Sequence, residues 1–267
     1  MTCIALFDSG VGGLSILPAL ENVIPHADIV YLADHAHSPY GSKDAQWLNN
    51  RMAELVTQIE KQHQPDIIII ACNTASTLCL DNLRALTQTP IVGVVPAIKT
   101  AAQLSERKFI GILATPVTVA GEYLQALINE FASTCHVTKV GSTELVTMAE
   151  RKLCNSAIDT VKLQTLVAPF VTSQCDVVVL GCTHFPHLLT ELKQCAPHIQ
   201  WIDSANAIAK RCEHLLAALP TKSDAPHQAN NHLTKQAYFY STGLIDAQLT
   251  QRLYNMGFHQ INSKAIP

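Results

Sequence analysis

No apolar run in this chain approaches the eighteen or so residues a bilayer span requires; the longest, such as 67–72 (IIIIAC), stop far short. No charged leader or small-residue cleavage site precedes the opening strand-like run TCIALF, so a secretory signal is not expected and a cytoplasmic address is. Basic clusters are missing and the formal net charge is −3, which argues against nucleic acid as a partner. Nor does any Cys-x-x-Cys pair occur. The nine cysteines stand singly, an odd number in a long chain, as reduced thiols do and a disulfide framework does not. Neither GK[ST] nor GxGxxG follows the glycine-rich stretch DSGVGG at 8–13, so a phosphate loop is a poor reading of it.

What is present is core. The 267 residues are 48% hydrophobic and 15% charged, enough for one large or two smaller compact domains. Strand-like runs fall at Cys3–Phe7, Ile29–Leu32, Ile67–Ala71, Ile91–Val95, Ile110–Ala114, Val177–Leu180 and Tyr238–Ser241. Between them, Leu48, Met52, Leu55, Val56 and Ile59 recur at helical spacing, with Ser42 placed as an N-cap. Leu124, Leu127, Ile128 and Phe131 mark another helix, and Ile208–Leu219 a third. Pro18 predicts a helix that starts late or kinks after the glycine-rich turn. Near-continuous aliphatic strands alternating with amphipathic helices predict an α/β fold with parallel sheets. The polar stretch Thr221–Lys235 reads as a surface loop.

The chain also echoes itself. PDIIIIACNTAS carries Asp66, four isoleucines, Cys72, Asn73 and Thr74; CDVVVLGCTHFP carries Asp176, four aliphatics, Cys182, Thr183 and His184. In both, the cysteine stands six residues after the aspartate. CIALFDSG and FIGILATP form a weaker pair, with Asp8 standing 64 residues before Cys72 and Thr115 standing 67 before Cys182. Two related halves follow, each with polar groups at the carboxyl ends of its strands, where open α/β sheets bind ligands.

The residues alone leave several chemistries open. A cysteine here could be a buried hydrophobe, a redox thiol or a metal ligand. Cys182, His184 and His187 resemble a zinc set, but no second cluster completes it. If the halves face each other, Cys72 and Cys182 could instead work as a pair, one removing a proton from a carbon and the other returning one to its opposite face. A helix beginning just after each cysteine would lower its thiol pKa. Asp34, His35 and His37 read as a solvated loop, and Pro39-Tyr40-Gly41 as a turn able to aim a backbone N–H.

The strings FDSGVGGLSIL, ADHAHSPYGSKD, ACNTAST, GILATPVTV, GCTHFPHL and DSANAIAKR occur in order from Phe7 to Arg211. Together they resemble the glutamate racemases of the aspartate/glutamate racemase superfamily. The resemblance implies two similar parallel-sheet α/β domains related by a pseudo-twofold, residues 1–97 with 208–267 and residues 98–207, with the active site in the cleft between them. It implies interconversion of L- and D-glutamate for peptidoglycan without cofactor or metal, and a homodimer. By position, Cys72 and Cys182 would be the proton-transfer thiols, Asp8 and His184 their respective assistants, and Glu150 a further acid. Ser9, Tyr40, Gly41, Asn73, Thr74, Thr115 and Thr183 would hold the substrate. The chain departs from the family pattern at Ser142 and Thr143, where a cysteine-proline pair is common, at Val117 and Gly121, and at Leu244, where an aspartate usually follows Thr242-Gly243. Racemisation of aspartate, a catalytically silent amino-acid-binding protein and a thiol-redox or metal protein are the competing readings.

Overall fold

A computed structural model describes residues 2–219 and 235–264. The first half runs β1 (Cys3–Asp8), α1 (Leu17–Val23), β2 (Asp28–Ala33), α2 (Ala45–His63), β3 (Ile67–Ile70), α3 (Asn73–Leu86) and β4 (Ile91–Gly93). The second runs α4 (Ile98–Leu104), β5 (Phe109–Ala114), α5 (Pro116–Ala120), α6 (Glu122–Phe131), β6 (His136–Gly141), α7 (Glu144–Leu153), α8 (Thr160–Thr172), β7 (Val177–Leu180), α9 (Leu189–Cys195) and β8 (Gln200–Ile202). Then come α10 (Ala205–Ala218), β9 (Ala237–Ser241), α11 (Ala247–Asn255) and β10 (Gln260–Ser263).

The strands form two sheets, ordered β10-β9-β2-β1-β3-β4 and β6-β5-β7-β8, and every pairing is parallel. The order β2-β1-β3-β4 is repeated by β6-β5-β7-β8, so the echo in the sequence is an echo in topology. The isoleucines of β3 are all fully buried and β7 is nearly so, because helices cover both faces of a parallel sheet. The paired aspartates belong to this scaffold. Asp66 Oδ2 accepts from Cys3 N at the start of β1 (2.8 Å), and Asp176 accepts from Ser105 Oγ (2.6 Å) and Arg107 N (2.9 Å) just before β5. Each central strand is thereby tied at its amino end, opposite the end where the cysteine emerges.

Several expectations shift in detail. Asp44, not Ser42, caps α2, because its carboxylate accepts from both Gln46 N and Trp47 N while Ser42 Oγ donates to Pro39 O. Pro18 lies in the first turn of α1, where its missing N–H costs nothing, after a short 3-10 turn over Gly12–Ile16. The loop expected at Thr221–Lys235 falls outside the described residues except for Lys235. Among the described residues no helix is long and apolar enough to cross a membrane.

Candidate active site

Cys72 leaves β3 at its carboxyl end and is the N-cap residue of α3; Cys182 leaves β7 at the matching point of the second sheet. The backbone fixes the equivalence: Ala71 N donates to Phe7 O and Gly181 N to Leu113 O, both at 2.7 Å. Both cysteines are nearly buried and both line one cleft. Ser9, Tyr40, Gly41, Asn73, Thr74, Thr115, Thr183 and His184 line it too, joined by Pro39, Val146 and Gly181. The sequence thus anticipates most of the wall, and no lysine, arginine or carboxylate is among the lining residues. Hydroxyls, amide groups, the N–H groups opening α3 and the His184 ring are the groups that can compensate an anion held there.

Behind this wall stand the two expected carboxylates. Asp8 Oδ1 accepts from Gly10 N (2.9 Å) and Ser9 Oγ (3.4 Å), and its Oδ2 accepts from Thr183 Oγ1 (2.9 Å) across the cleft. Burial raises the Asp8 carboxyl above the ordinary aspartate value, and the charge of His184 only partly offsets this. Glu150, on α7, joins His184 Nε2 at 2.7 Å and accepts from Val11 N at 3.2 Å. His184 Nδ1 in turn faces Cys182 Sγ at 3.8 Å. Burial alone would depress His184, but its bonds to Cys182 and Glu150 raise it well above a free histidine. Burial likewise pushes Glu150 up, yet bonding to His184 wins and holds it below the usual glutamate value. The second half therefore supplies a cationic imidazole directly beside its thiol.

Cys72 behaves oppositely to expectation. Burial, followed by the charge of Asp8, pushes its thiol up to about 12, overriding the N–H groups of Ala75 and Thr74. A helix start favours a thiolate only while desolvation is the smaller effect, and here it is the larger.

The glycine-rich segment is explained by close approach. A Cβ on Gly12 would stand 2.4 Å from His184 Nδ1, and one on Gly10 would stand 2.4 Å from Glu150 Oε1. Only glycine lets the first half come this close to His184 and Glu150.

The solvated-loop expectation is overturned for Asp34 and in part for His35, whose side chain is 17% exposed, while the His37 side chain is 34% exposed. Asp34 is fully buried; it accepts from Arg51 through both oxygens (2.9 and 3.1 Å), from Tyr40 Oη (2.8 Å) and from Thr242 Oγ1 (2.8 Å), and stands 3.0 Å from His37 Nδ1. Arg51 arrives from α2, which no local reading of ADHAHSPYG could supply. The net holds Tyr40 against the cleft. His187 is a neighbour of another kind, donating from Nε2 to Gly12 O at 3.1 Å. Among the described residues no group of three or more histidine, cysteine or acidic side chains could hold a metal ion.

A model of the Asp/Glu/hydantoin racemase family matches residues 15–212, and the glutamate racemase of Shewanella sp. strain ANA-3 is 47% identical over 259 residues, covering 96% of this chain and 94% of its own. The chain belongs to that family, in its glutamate racemase branch. Escherichia coli glutamate racemase, crystallised with L-glutamate and the activator UDP-MurNAc-Ala, aligns with a TM-score of 0.90 at 34% identity, covering 100% of this chain and 99% of its own. Allantoin racemase from Klebsiella pneumoniae, at 18% identity and a TM-score of 0.54 over 85% of this chain and 97% of its own, shares the racemase fold.

Proposed function

We propose that this racemase interconverts L- and D-glutamate with Cys72 and Cys182 as a pair of acid/base thiols, without a cofactor, and supplies D-glutamate for peptidoglycan. The observation that carries the proposal is that two cysteines at equivalent strand ends, one from each sheet, line a single cleft. The thiolate of one cysteine takes the α-proton, the C–H electron pair remains on the carbon, and the other thiol delivers a proton to the opposite face. Reversing the reaction exchanges the roles. Hydrogen bonds to the α-carboxylate and exclusion of water stabilise the carbanion-like state.

The surroundings suit such a substrate. Asn73 Oδ1 is buried at the cleft and makes no hydrogen bond among the described residues, so it can accept from the substrate ammonium. Thr74, Thr115, Thr183 and Ser9 bring hydroxyls, and the start of α3 brings N–H groups, toward the carboxylates. Tyr40 and Gly41 close the side of the cleft next to α5. Asp8 serves the Cys72 side, and Glu150 serves Cys182 through His184. In this reading the resting enzyme keeps Cys72 as a thiol, while the cationic ring of His184 stands beside Cys182. The domains divide as 1–97 with 208–267 and 98–207, and the protein acts in the cytoplasm as a homodimer.

Incubation with either glutamate enantiomer in heavy water tests the reaction. Interconversion of the enantiomers, with solvent deuterium entering the α-carbon, should proceed with wild-type protein and fall by at least about a thousandfold in rate in Cys72→Ser and Cys182→Ser. Undiminished interconversion in either variant would remove the two-thiol mechanism. Exchange with aspartate but not glutamate would move the activity to that substrate.

A further inference from the structure

His35 lies outside the cleft wall yet reaches the proton-handling groups from behind. Its Nε2 stands 4.0 Å from Glu150 Oε2, and its Nδ1 stands 2.9 Å from Ser241 Oγ at the end of β9. The other Glu150 oxygen is the one that meets His184, whose ring faces Cys182. A single line of polar groups therefore runs Ser241, His35, Glu150, His184, Cys182.

The tautomer of His35 can be read from this line. The Ser241 hydroxyl donates its one hydrogen to Gly243 O at 3.0 Å. In that arrangement it accepts from His35, and Nδ1 carries the hydrogen. In the neutral ring Nε2 is then a bare lone pair turned toward a carboxylate oxygen. Two acceptors do not bond. Only the doubly protonated ring offers Glu150 a hydrogen.

We propose that His35 is a positioning residue for Cys182, acting through Glu150: neutral, it leaves the carboxylate to His184; protonated, it draws Oε2 to itself and slows racemisation. The proposal rests on the acid/base reading of Cys182. The ionisable groups facing His35 are Glu150 from α7, Asp8 from the end of β1, His184 after β7 and Asp34 from its own loop. Burial opposes its cation most strongly; the three carboxylates favour it and His184 opposes it, and the balance holds the ring below the ordinary histidine value. His35 is therefore neutral near neutral pH and gains its proton only as the pH falls below that ordinary value. Its positive charge then disfavours the imidazolium of His184, so the effect on rate is a loss toward acid.

Two substitutions separate electrostatics from packing. His35→Asn places an amide N–H near Nδ1, keeping the bond to Ser241 while removing the titrating nitrogen. His35→Gln places an N–H near Nε2, a permanent donor toward Glu150. In pH profiles of kcat from about pH 8 to about pH 5, the ratio of His35→Asn to wild-type rate should rise about tenfold toward acid, and His35→Gln should be slowed about three- to tenfold at the upper end. A merely structural loss would lower the rate equally at every pH, so parallel profiles for His35→Asn and wild type would overturn the proposal. Imidazole nitrogen NMR of the wild-type protein gives a reading that needs no variant. Near pH 8 the His35 ring should carry its hydrogen on Nδ1, and an Nε2–H ring would equally overturn it. Cys182→Ser keeps the two levels distinct: undiminished interconversion of the enantiomers there removes the acid/base reading of Cys182, whereas an inactive Cys182→Ser with parallel His35→Asn profiles removes only the role of His35.

Discussion

Cys72 and Cys182 occupy equivalent strand ends but unlike surroundings. Cys72 has a buried carboxyl nearby, and its thiol is pushed up to about 12; Cys182 faces an imidazole that is itself held cationic. In the proposed mechanism, symmetric chemistry falls to an asymmetric pair, with the difference set by Asp8 on one side and by His184 with Glu150 on the other. Glu150→Gln tests the second arrangement, because it keeps the shape and removes the charge that supports His184. The imidazole pKa should fall, and an activity that needs the cation is lost as pH rises through that pKa. The basic limb of the kcat profile should therefore move to lower pH, with kcat reduced about 10- to 100-fold near neutrality. An unmoved basic limb in Glu150→Gln would assign that limb to another group.

Elements, rather than residues, decide how close these groups come. The turn after β1 passes so near His184 that Gly12→Ala would drive a methyl group against Nδ1. The expected outcome is a folded protein with kcat/KM reduced about a hundredfold, since a displacement of about 1 Å is enough to spoil proton transfer; circular dichroism alongside kinetics checks both parts. A second test concerns the loop after β2. Asp34 is buried and paired with Arg51, whose side chain is 10% exposed, so Asp34→Asn should cost about 3 kcal/mol in a denaturant titration near neutral pH. Burial would raise this carboxyl, but bonds from Arg51, His37, Thr242 and Tyr40 hold it well below the usual range. A depressed carboxyl contributes stability above its unfolded pKa, about 3.9, and loses that contribution as pH falls toward the folded value. The gap between wild type and variant should therefore narrow in acid.

The same scale explains what the sequence could and could not announce. Central strands declare themselves as aliphatic runs because both faces are covered. The strands without such a signal, β6, β8 and β10, are all sheet edges; β6 and β10 are largely exposed and β8 has only three residues. Most of the cleft wall was legible because its residues sit beside the two echoing cysteines and in the DSG and PYG strings. Arg51 was not, since its partner lies 17 residues earlier and the two meet only once α2 packs beside β2. His35 was hidden for the same reason, its neighbours Glu150 and Ser241 coming from distant elements.

At the scale of the whole molecule, the two sheets meet where the glycine-rich turn touches the segment after β7. Ser15 Oγ donates to Thr183 O (2.9 Å), Thr183 Oγ1 to Asp8 Oδ2 (2.9 Å), Val11 N to Glu150 Oε1 (3.2 Å) and His187 Nε2 to Gly12 O (3.1 Å). These bonds cross between halves whose hydrophobic cores are largely separate, with Leu153 of α7 joining the core of the first half, so a ligand gripping both walls adds a further link. Glutamate at about a hundred times its Kd should contribute about 2.7 kcal/mol to the stability of the bound form. For a chain of this length that corresponds to a rise in Tm of roughly 5 °C. Using Cys72→Ser keeps the enantiomer from being converted during the scan. Removing one grip from either wall, by Asn73→Ala on the first half or Thr183→Val on the second, should reduce the shift at the same glutamate concentration. If both variants kept the full shift, glutamate would not be bridging the two halves, and the cleft would be only an opening between them.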